Sequence, residues 1–222
     1  MPMDERTKAT VRALLDRYPR GYVAEVAGFS VTKSAAGLFH LLCVSVLATD
    51  SAPSGPSITA VQEMLQRRWD SAPEMAKTSE DDRTSVLTRA GYPRPGEASR
   101  RLGEATAIVL DRYARDLNNL REAAGGDGRR IRELLGEIPG MDKAGIAVFV
   151  RDAQAFWPEA GPFLDSHARR AASRLGLPSD PEEMLRNVAR HRGEEMLAFL
   201  AGALAIVDSR NSYDEIESRV PA

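Results

Sequence analysis

A chain of 222 residues, 43% apolar and 28% charged, has the length and balance of one large globular domain or two small lobes, and neither a disordered nor a fibrous composition. Its longest apolar run, residues 35–48, is interrupted by His40 and Ser45 and is too short to cross a bilayer, while the opening Met-Pro-Met-Asp-Glu-Arg lacks the apolar core of a secretion signal. The expectation is a cytoplasmic, monomeric protein with no membrane partner. A formal net charge of −2 gives no compositional support for a nucleic-acid partner, so any basic footprint has to be local.

The predicted elements are helical throughout. Val11, Leu14, Leu15 and Tyr18 recur at three-and-four spacing, and Pro19-Arg20-Gly21 ends that helix. Leu38 to Leu47 reads as a helix buried on most sides. It carries His40 and Cys43 on one face, but with a single cysteine and three histidines in the chain, Cys43 reads as a small buried hydrophobe. The same count excludes an intramolecular disulfide and a four-cysteine zinc or iron–sulfur site, so neither metal nor cofactor is expected. Pro53, Ser54, Gly55 and Pro56 form a loop before an amphipathic helix bearing Ile58, Val61, Met64 and Leu65. Ser79 caps a helix running through Leu87 to the stop at Gly91-Tyr92-Pro93.

One long helix is then expected, with Leu102, Val109, Tyr113, Leu117 and Leu120 on one face, broken at Gly125-Gly126-Asp127-Gly128. Near the C-terminus, Glu182 to Val207 reads as two helices interrupted around Arg192-Gly193, and the polar tail from Asp208 is expected to fray. No run of alternating β-branched residues suggests a strand pair. The fold class is all-α, with nine or ten helices. Two clusters offer basic footprints: Arg169, Arg170 and Arg174, then Arg186, Arg190 and Arg192. In isolation they read as solvated helix faces.

The segment from Arg129 to Pro178 carries the functional reading. A short helix, the turn Ile138-Pro139-Gly140-Met141, and a second helix can pair through Ile131, Leu134, Leu135 and Ile138 against Met141, Ile146, Val148 and Val150. Pro139 and Gly140 force a tight turn. Such a hairpin turns backbone N–H groups and a helix N-terminus toward solvent, where a phosphate oxygen can be held. A helix–Pro-Gly–helix turn is also a common packing device. Next come Trp157-Pro158, Phe163-Leu164-Asp165-Ser166-His167, and a helix ending at Leu175-Gly176-Leu177-Pro178. Asp165 precedes a helix-forming run, a place that by itself suits an N-cap.

This order and spacing resemble the helix-hairpin-helix–Gly/Pro–Asp superfamily of DNA glycosylases, in its endonuclease III-like branch. The family pairs a Leu-Pro-Gly-Val-Gly hairpin with a Val-Asp-Thr-His segment; here Ile138-Pro139-Gly140-Met141 and Leu164-Asp165-Ser166-His167 match them. The likeness is clear over about fifty residues, and it extends more weakly to Ser45-Val46-Leu47-Ala48-Thr49-Asp50. It implies a two-lobed helical glycosylase fold with a DNA cleft between the lobes. A six-helix lobe over 35–158 would carry the helix-hairpin-helix at 129–155. The second lobe would join 1–34 to 159–222 and present Asp165 to the cleft. The implied partner is double-stranded DNA containing damaged bases, met by Ile138, Pro139, Gly140, Met141, Asp142, Lys143, Leu47 and His167.

The resemblance makes Asp165 the catalytic carboxylate of base excision. Cleaving the bond between base and deoxyribose develops positive charge on the sugar, which a nearby anion stabilises, and the same carboxylate can orient the attacking water. The sequence also departs from the pattern. Bifunctional members place a nucleophilic lysine where this chain has Ala144, while Lys143 is turned about 100° away on the helix. Lys143 therefore reads as a phosphate contact or a solvated residue, and as a nucleophile only if displaced. Asp142 replaces the second hairpin glycine, either opposing a phosphate or capping the following helix. Leu47 takes the place of an intercalating glutamine and reads as a wedge or as a core residue. The implied function is a monofunctional DNA glycosylase. The alternatives are a non-catalytic DNA-binding protein that keeps the fold, a bifunctional glycosylase/lyase using Lys143, and an interaction protein with no nucleic-acid role.

Overall fold

The computed structural model describes residues 4–50, 52–53, 55–187 and 193–220; among them are fourteen α-helices, one 3-10 turn and no strand. None of the described helices is long and apolar enough to cross a membrane. Along the chain, α1 (Glu5–Arg17) is capped by Asp4 and ends at Tyr18, and α2 (Tyr22–Ala27) ends at Gly28. Ser34 caps α3 (Ala35–Val46); α4 (Pro56–Gln66) and α5 (Ala72–Met75) each start with proline in the first turn. Ser79 and Asp82 close a reciprocal capping box on α6 (Glu80–Arg89).

The expected long helix after Pro93 is two helices, α7 (Pro95–Arg112) and α8 (Asn118–Ala123). Ala114 and Arg115 take left-handed backbone angles, with φ of 48° and 75°, and the Arg115 N–H reaches back to Val109 O at 3.0 Å. Asp116 then accepts from Asn118 N–H at 2.9 Å. The apolar spacing continues through the break because Tyr113, Leu117 and Leu120 are all buried.

Asp127 caps α9 (Gly128–Gly136), which a turn joins to α10 (Lys143–Ala153). A 3-10 turn at Pro158–Ala160 precedes α11 (Ser166–Arg174), α12 (Pro181–Asn187), α13 (Gly193–Arg210) and α14 (Tyr213–Glu217). The tail from Asp208 does not fray as expected. α13 continues to Arg210, and α14 buries Tyr213 and Ile216, two apolar anchors spaced among polar neighbours. Arg190 and Arg192, and most of the expected break around Arg192-Gly193, lie outside the described residues.

The chain divides into two units, 1–29 with 150–222 and 30–149. The divisions fall at 29/30 and 149/150, against the 34/35 and 158/159 read from the sequence. In the first unit α13 is the central rod, packed by α11, α1, α2 and α12. From Leu197 to Val207 it is buried on nearly every side, the pattern of a helix enclosed by others. A Cβ on Gly202 would stand 2.4 Å from the Tyr22 backbone nitrogen, so only glycine admits the start of α2 at that crossing.

In the unit 30–149, α7 packs against α3, α5 and α6. Arg83 ties α6 to α7 through carbonyls: its Nε donates to Ser99 O at 3.1 Å and its Nη1 to Thr78 O at 2.8 Å. Cys43 is buried, and burial pushes its thiol up to about 12. The His40 ring meets the Asp70 carbonyl through Nε2 at 2.7 Å, and burial lowers its pKa.

Candidate functional site

The turn between α9 and α10 is built from residues 137–142. Met141 N–H donates to Ile138 O at 3.0 Å, closing the turn around Pro139 and Gly140. Gly140 has φ +86°, and a Cβ there would lie 2.8 Å from Val46 Cγ1 and 3.3 Å from Arg101 Cβ. Glycine is thus required twice over, by backbone angle and by space. A Cβ on Gly145 would come within 2.6 Å of Ser45 O, so α10 starts in close contact with α3. These contacts bring together the two parts of the unit that the sequence singled out, the hairpin and the Ser45–Leu47 end of α3.

Each hairpin residue has a definite place. Ile138 and Met141 are buried and hold the turn down, Pro139 and Gly140 are half-buried, and Asp142 and Lys143 are exposed. Asp142 Oδ1 accepts from Ala144 N–H at 2.9 Å and Gly145 N–H at 3.0 Å. Of the two roles read for Asp142, the helix cap is the one its side chain performs, and its charge faces the N-terminal dipole of α10. Leu47 is fully buried; its carbonyl accepts from Ser57 Oγ at 2.7 Å and Tyr92 Oη at 3.2 Å. In this conformation Leu47 packs as core and presents no surface to a base.

Asp165 and His167 lie together at the start of α11, in the unit 1–29 with 150–222. Asp165 is the N-cap: Oδ1 accepts from Ala168 N–H at 2.9 Å. Its other oxygen accepts from Arg151 Nη1 at 2.5 Å, and neither side chain has solvent exposure. Arg151, on α10, also donates through Nε to Asp152 Oδ2 at 3.2 Å, and its guanidinium stacks over the Tyr22 ring at 4.0 Å. Asp152 Oδ1 in turn accepts from Val23 N–H at 3.0 Å. Two carboxylates therefore share one buried guanidinium.

Burial raises the Asp152 pKa, against the pull of Arg151. Burial also works against the Arg151 charge, but Asp165 and Asp152 outweigh it and raise its pKa. Arg151 is therefore a permanent cation.

His167 belongs to a second cluster. Its Nδ1 lies 2.6 Å from Asp208 Oδ2 and 2.7 Å from Arg170 Nη2. Arg170 donates to the same oxygen through Nη2 at 2.7 Å, and Tyr213 Oη donates to Oδ1 at 2.5 Å. Burial opposes the Asp208 charge, yet the bonds from Arg170, Tyr213 and His167 bring its pKa below the ordinary value. Burial and the Asp208 contact push Tyr213 up to about 12. The basic cluster read from α11 is largely engaged within the unit. Arg169 donates to Leu164 O at 3.0 Å and Ser179 O at 3.1 Å, Arg170 holds Asp208, and Arg174 stacks 3.8 Å over Tyr213.

Arg151 escaped the sequence reading. The available signal was a charged pair, Arg151-Asp152, set directly after the apolar run Val148-Phe149-Val150. A charge in such a place is affordable only with a partner, and Asp165 is that partner.

The fold is that of the helical endonuclease III type. The solved structure of a trapped endonuclease III–DNA covalent intermediate, an estranged-adenine complex, superposes with a TM-score of 0.54 at 11% sequence identity, covering 93% of this chain and 86% of that one. No protein-family model matches the sequence, and no curated protein matches it.

Proposed function

We propose that this protein acts on double-stranded DNA containing damaged bases, as a monofunctional DNA glycosylase using Asp165. The observation that carries the reading is the position of Asp165, at the N-terminus of α11 after the α9–α10 hairpin, in a chain that follows the endonuclease III–DNA structure over 93% of its length. In this reading the hairpin Ile138–Lys143 holds the DNA backbone, the target base leaves the stack, and Asp165 stabilises the cationic sugar as the glycosidic bond breaks. With Ala144 at the family's lysine position, water is the nucleophile and the product is an intact abasic site. Neither an iron–sulfur cluster nor another cofactor takes part, and the working form is a cytoplasmic monomer.

A second reading, a DNA-binding protein without catalysis, is favoured by one observation: both Asp165 oxygens are already engaged, by Ala168 N–H and by Arg151. To act on a sugar, Asp165 has to gain access to the substrate from this buried setting.

The test is excision from a panel of duplexes each carrying one lesion, with borohydride present. The glycosylase reading expects alkali-labile abasic sites and no trapped protein–DNA complex. A trapped complex lost in Lys143→Ala would make Lys143 the nucleophile of a bifunctional enzyme. Duplex binding without excision across the panel would leave the non-catalytic reading standing.

A further inference from the structure

Beside the hairpin, in the unit 30–149, one carboxylate serves two guanidiniums. Glu97 on α7 bridges to Arg101 and to Arg94, the latter at 3.2 Å. The stem of Arg101 lies against the turn, its Cβ and Cδ 3.3 and 3.5 Å from where a Gly140 Cβ would be. Arg101 and residues 136–142 together line an open concavity of about 290 Å³. A second carboxylate in this lining, Glu137, pairs with Arg112 at 3.1 Å and lies 3.8 Å from Arg130, which Glu133 holds more closely at 2.9 Å. Asp142, facing the same concavity, spends Oδ1 on two N–H groups of α10. Exposed Lys143 adds a further positive charge at the start of α10. In the lining itself Arg101 stands with Glu137 and Asp142, and the exposed Arg94 and Lys143 add positive charge next to it.

We propose that Arg101, assisted by Arg94, is a DNA-backbone ligand that extends the hairpin's contact onto α7, with Glu97 as the counter-ion a phosphate displaces. This rests on the DNA reading above and deepens it. A guanidinium suits the task because its planar fork meets two phosphate oxygens at once, and it remains charged when a carboxylate partner is exchanged for a phosphate. The exchange also explains why these arginines are paired without being buried: Arg94 and Arg101 side chains are 74% and 43% exposed, so water readily mediates the swap.

The experiment is fluorescence anisotropy of the full chain with a labelled undamaged duplex, titrated over a range of salt. Arg101→Gln is expected to weaken binding and to lower the slope of log affinity against log salt by about 0.9, the share of one phosphate. Arg67→Gln is the matched control, because Arg67 and Arg89 share Glu63 in the same two-on-one manner but line no part of this concavity. It should bind within about twofold of the parent, as a surface pair contributes little. Glu97→Gln should tighten binding, a gain that a folding defect does not produce. Equal curves for Arg101→Gln and Arg67→Gln, or unchanged or weaker binding by Glu97→Gln, would overturn the assignment even if Lys143→Ala still weakens binding and the DNA reading survives. A parent protein that binds no duplex at any salt would overturn both.

Discussion

Asp165→Asn separates the structural task of this side chain from any chemical one. Oδ1 caps α11 by accepting from Ala168 N–H at 2.9 Å, and an asparagine carbonyl takes over that bond with little change, since Asn and Asp cap about equally. The other branch does not survive. Arg151 Nη1 donates to Oδ2 at 2.5 Å, and the substitution turns an NH2 group toward a guanidinium that can only donate. Losing a hydrogen bond to a charged group costs about 1.5–3 kcal/mol, and removing one partner of a buried ion pair costs about 3–5 kcal/mol. The upper figure does not apply in full, because Asp152 Oδ2, 3.2 Å from Arg151 Nε, remains as counter-charge. The expected destabilisation is about 2–3 kcal/mol, or roughly 4–12 °C in Tm for a chain of this size. Thermal unfolding followed by circular dichroism measures it, with Asp127→Asn as the reference: Asp127 caps α9 from an exposed position, so its replacement should shift Tm little. If Asp165→Asn melts with Asp127→Asn, the pair with Arg151 contributes nothing and the reasoning fails. Excision assays on the variant therefore belong well below its Tm, with duplex binding as the measure of folded protein.

Asp152→Asn should cost less than Asp165→Asn, because burial already disfavours the Asp152 charge; denaturant titration of both variants decides the order. For Asp208 the folded pKa lies below the unfolded one. Its stabilisation is then complete above about pH 4–5 and disappears as the pH falls through the lowered value. Relative to Asp208→Asn, the parent should lose stability more steeply in acid, and parallel acid-unfolding curves would refute this. Gly145→Ala places a methyl 2.6 Å from Ser45 O and should destabilise far more than Gly136→Ala, whose methyl meets Ile146 Cδ1 at an ordinary 3.6 Å. Comparable Tm values for the two would show that α10 can shift away from α3. Lys143→Ala should reduce the salt dependence of DNA binding by about one phosphate contact and leave excision chemistry in place, as binding isotherms and single-turnover rates will report.

The helices were legible wherever a cap and an apolar stripe coincided. Ser79 with Asp82, and Val11, Leu14 and Tyr18 before Pro19, are local signals that tertiary contacts leave unchanged. The break after Arg112 was hidden because it uses left-handed Ala114 and Arg115 where a glycine would have advertised it. Tyr213 and Ile216 were missed for a related reason: two apolar residues among Asp, Glu and Ser give too short a pattern to outweigh the polarity of the tail. At the site, the hairpin could be read because proline and glycine fix its backbone, whereas the surroundings of Asp165 could not. Its partner Arg151 is fourteen positions earlier, on another helix, and such a pairing is a property of the packed unit. The burial of Leu47 was undecidable for the same reason, since an apolar residue at a helix end serves equally as core or as wedge.

The placement of α1 sets a schedule for synthesis. Its buried face, with Val11, Leu14 and Tyr18, packs on α13 and α14, which are translated about 180–200 residues later. At 5–20 residues per second, α1 leaves the ribosome roughly 10–40 s before its partners exist, while residues 30–149 can complete their own core in the meantime. During that interval the apolar face of α1 waits for the two helices, α13 and α14, that cover it in the folded protein.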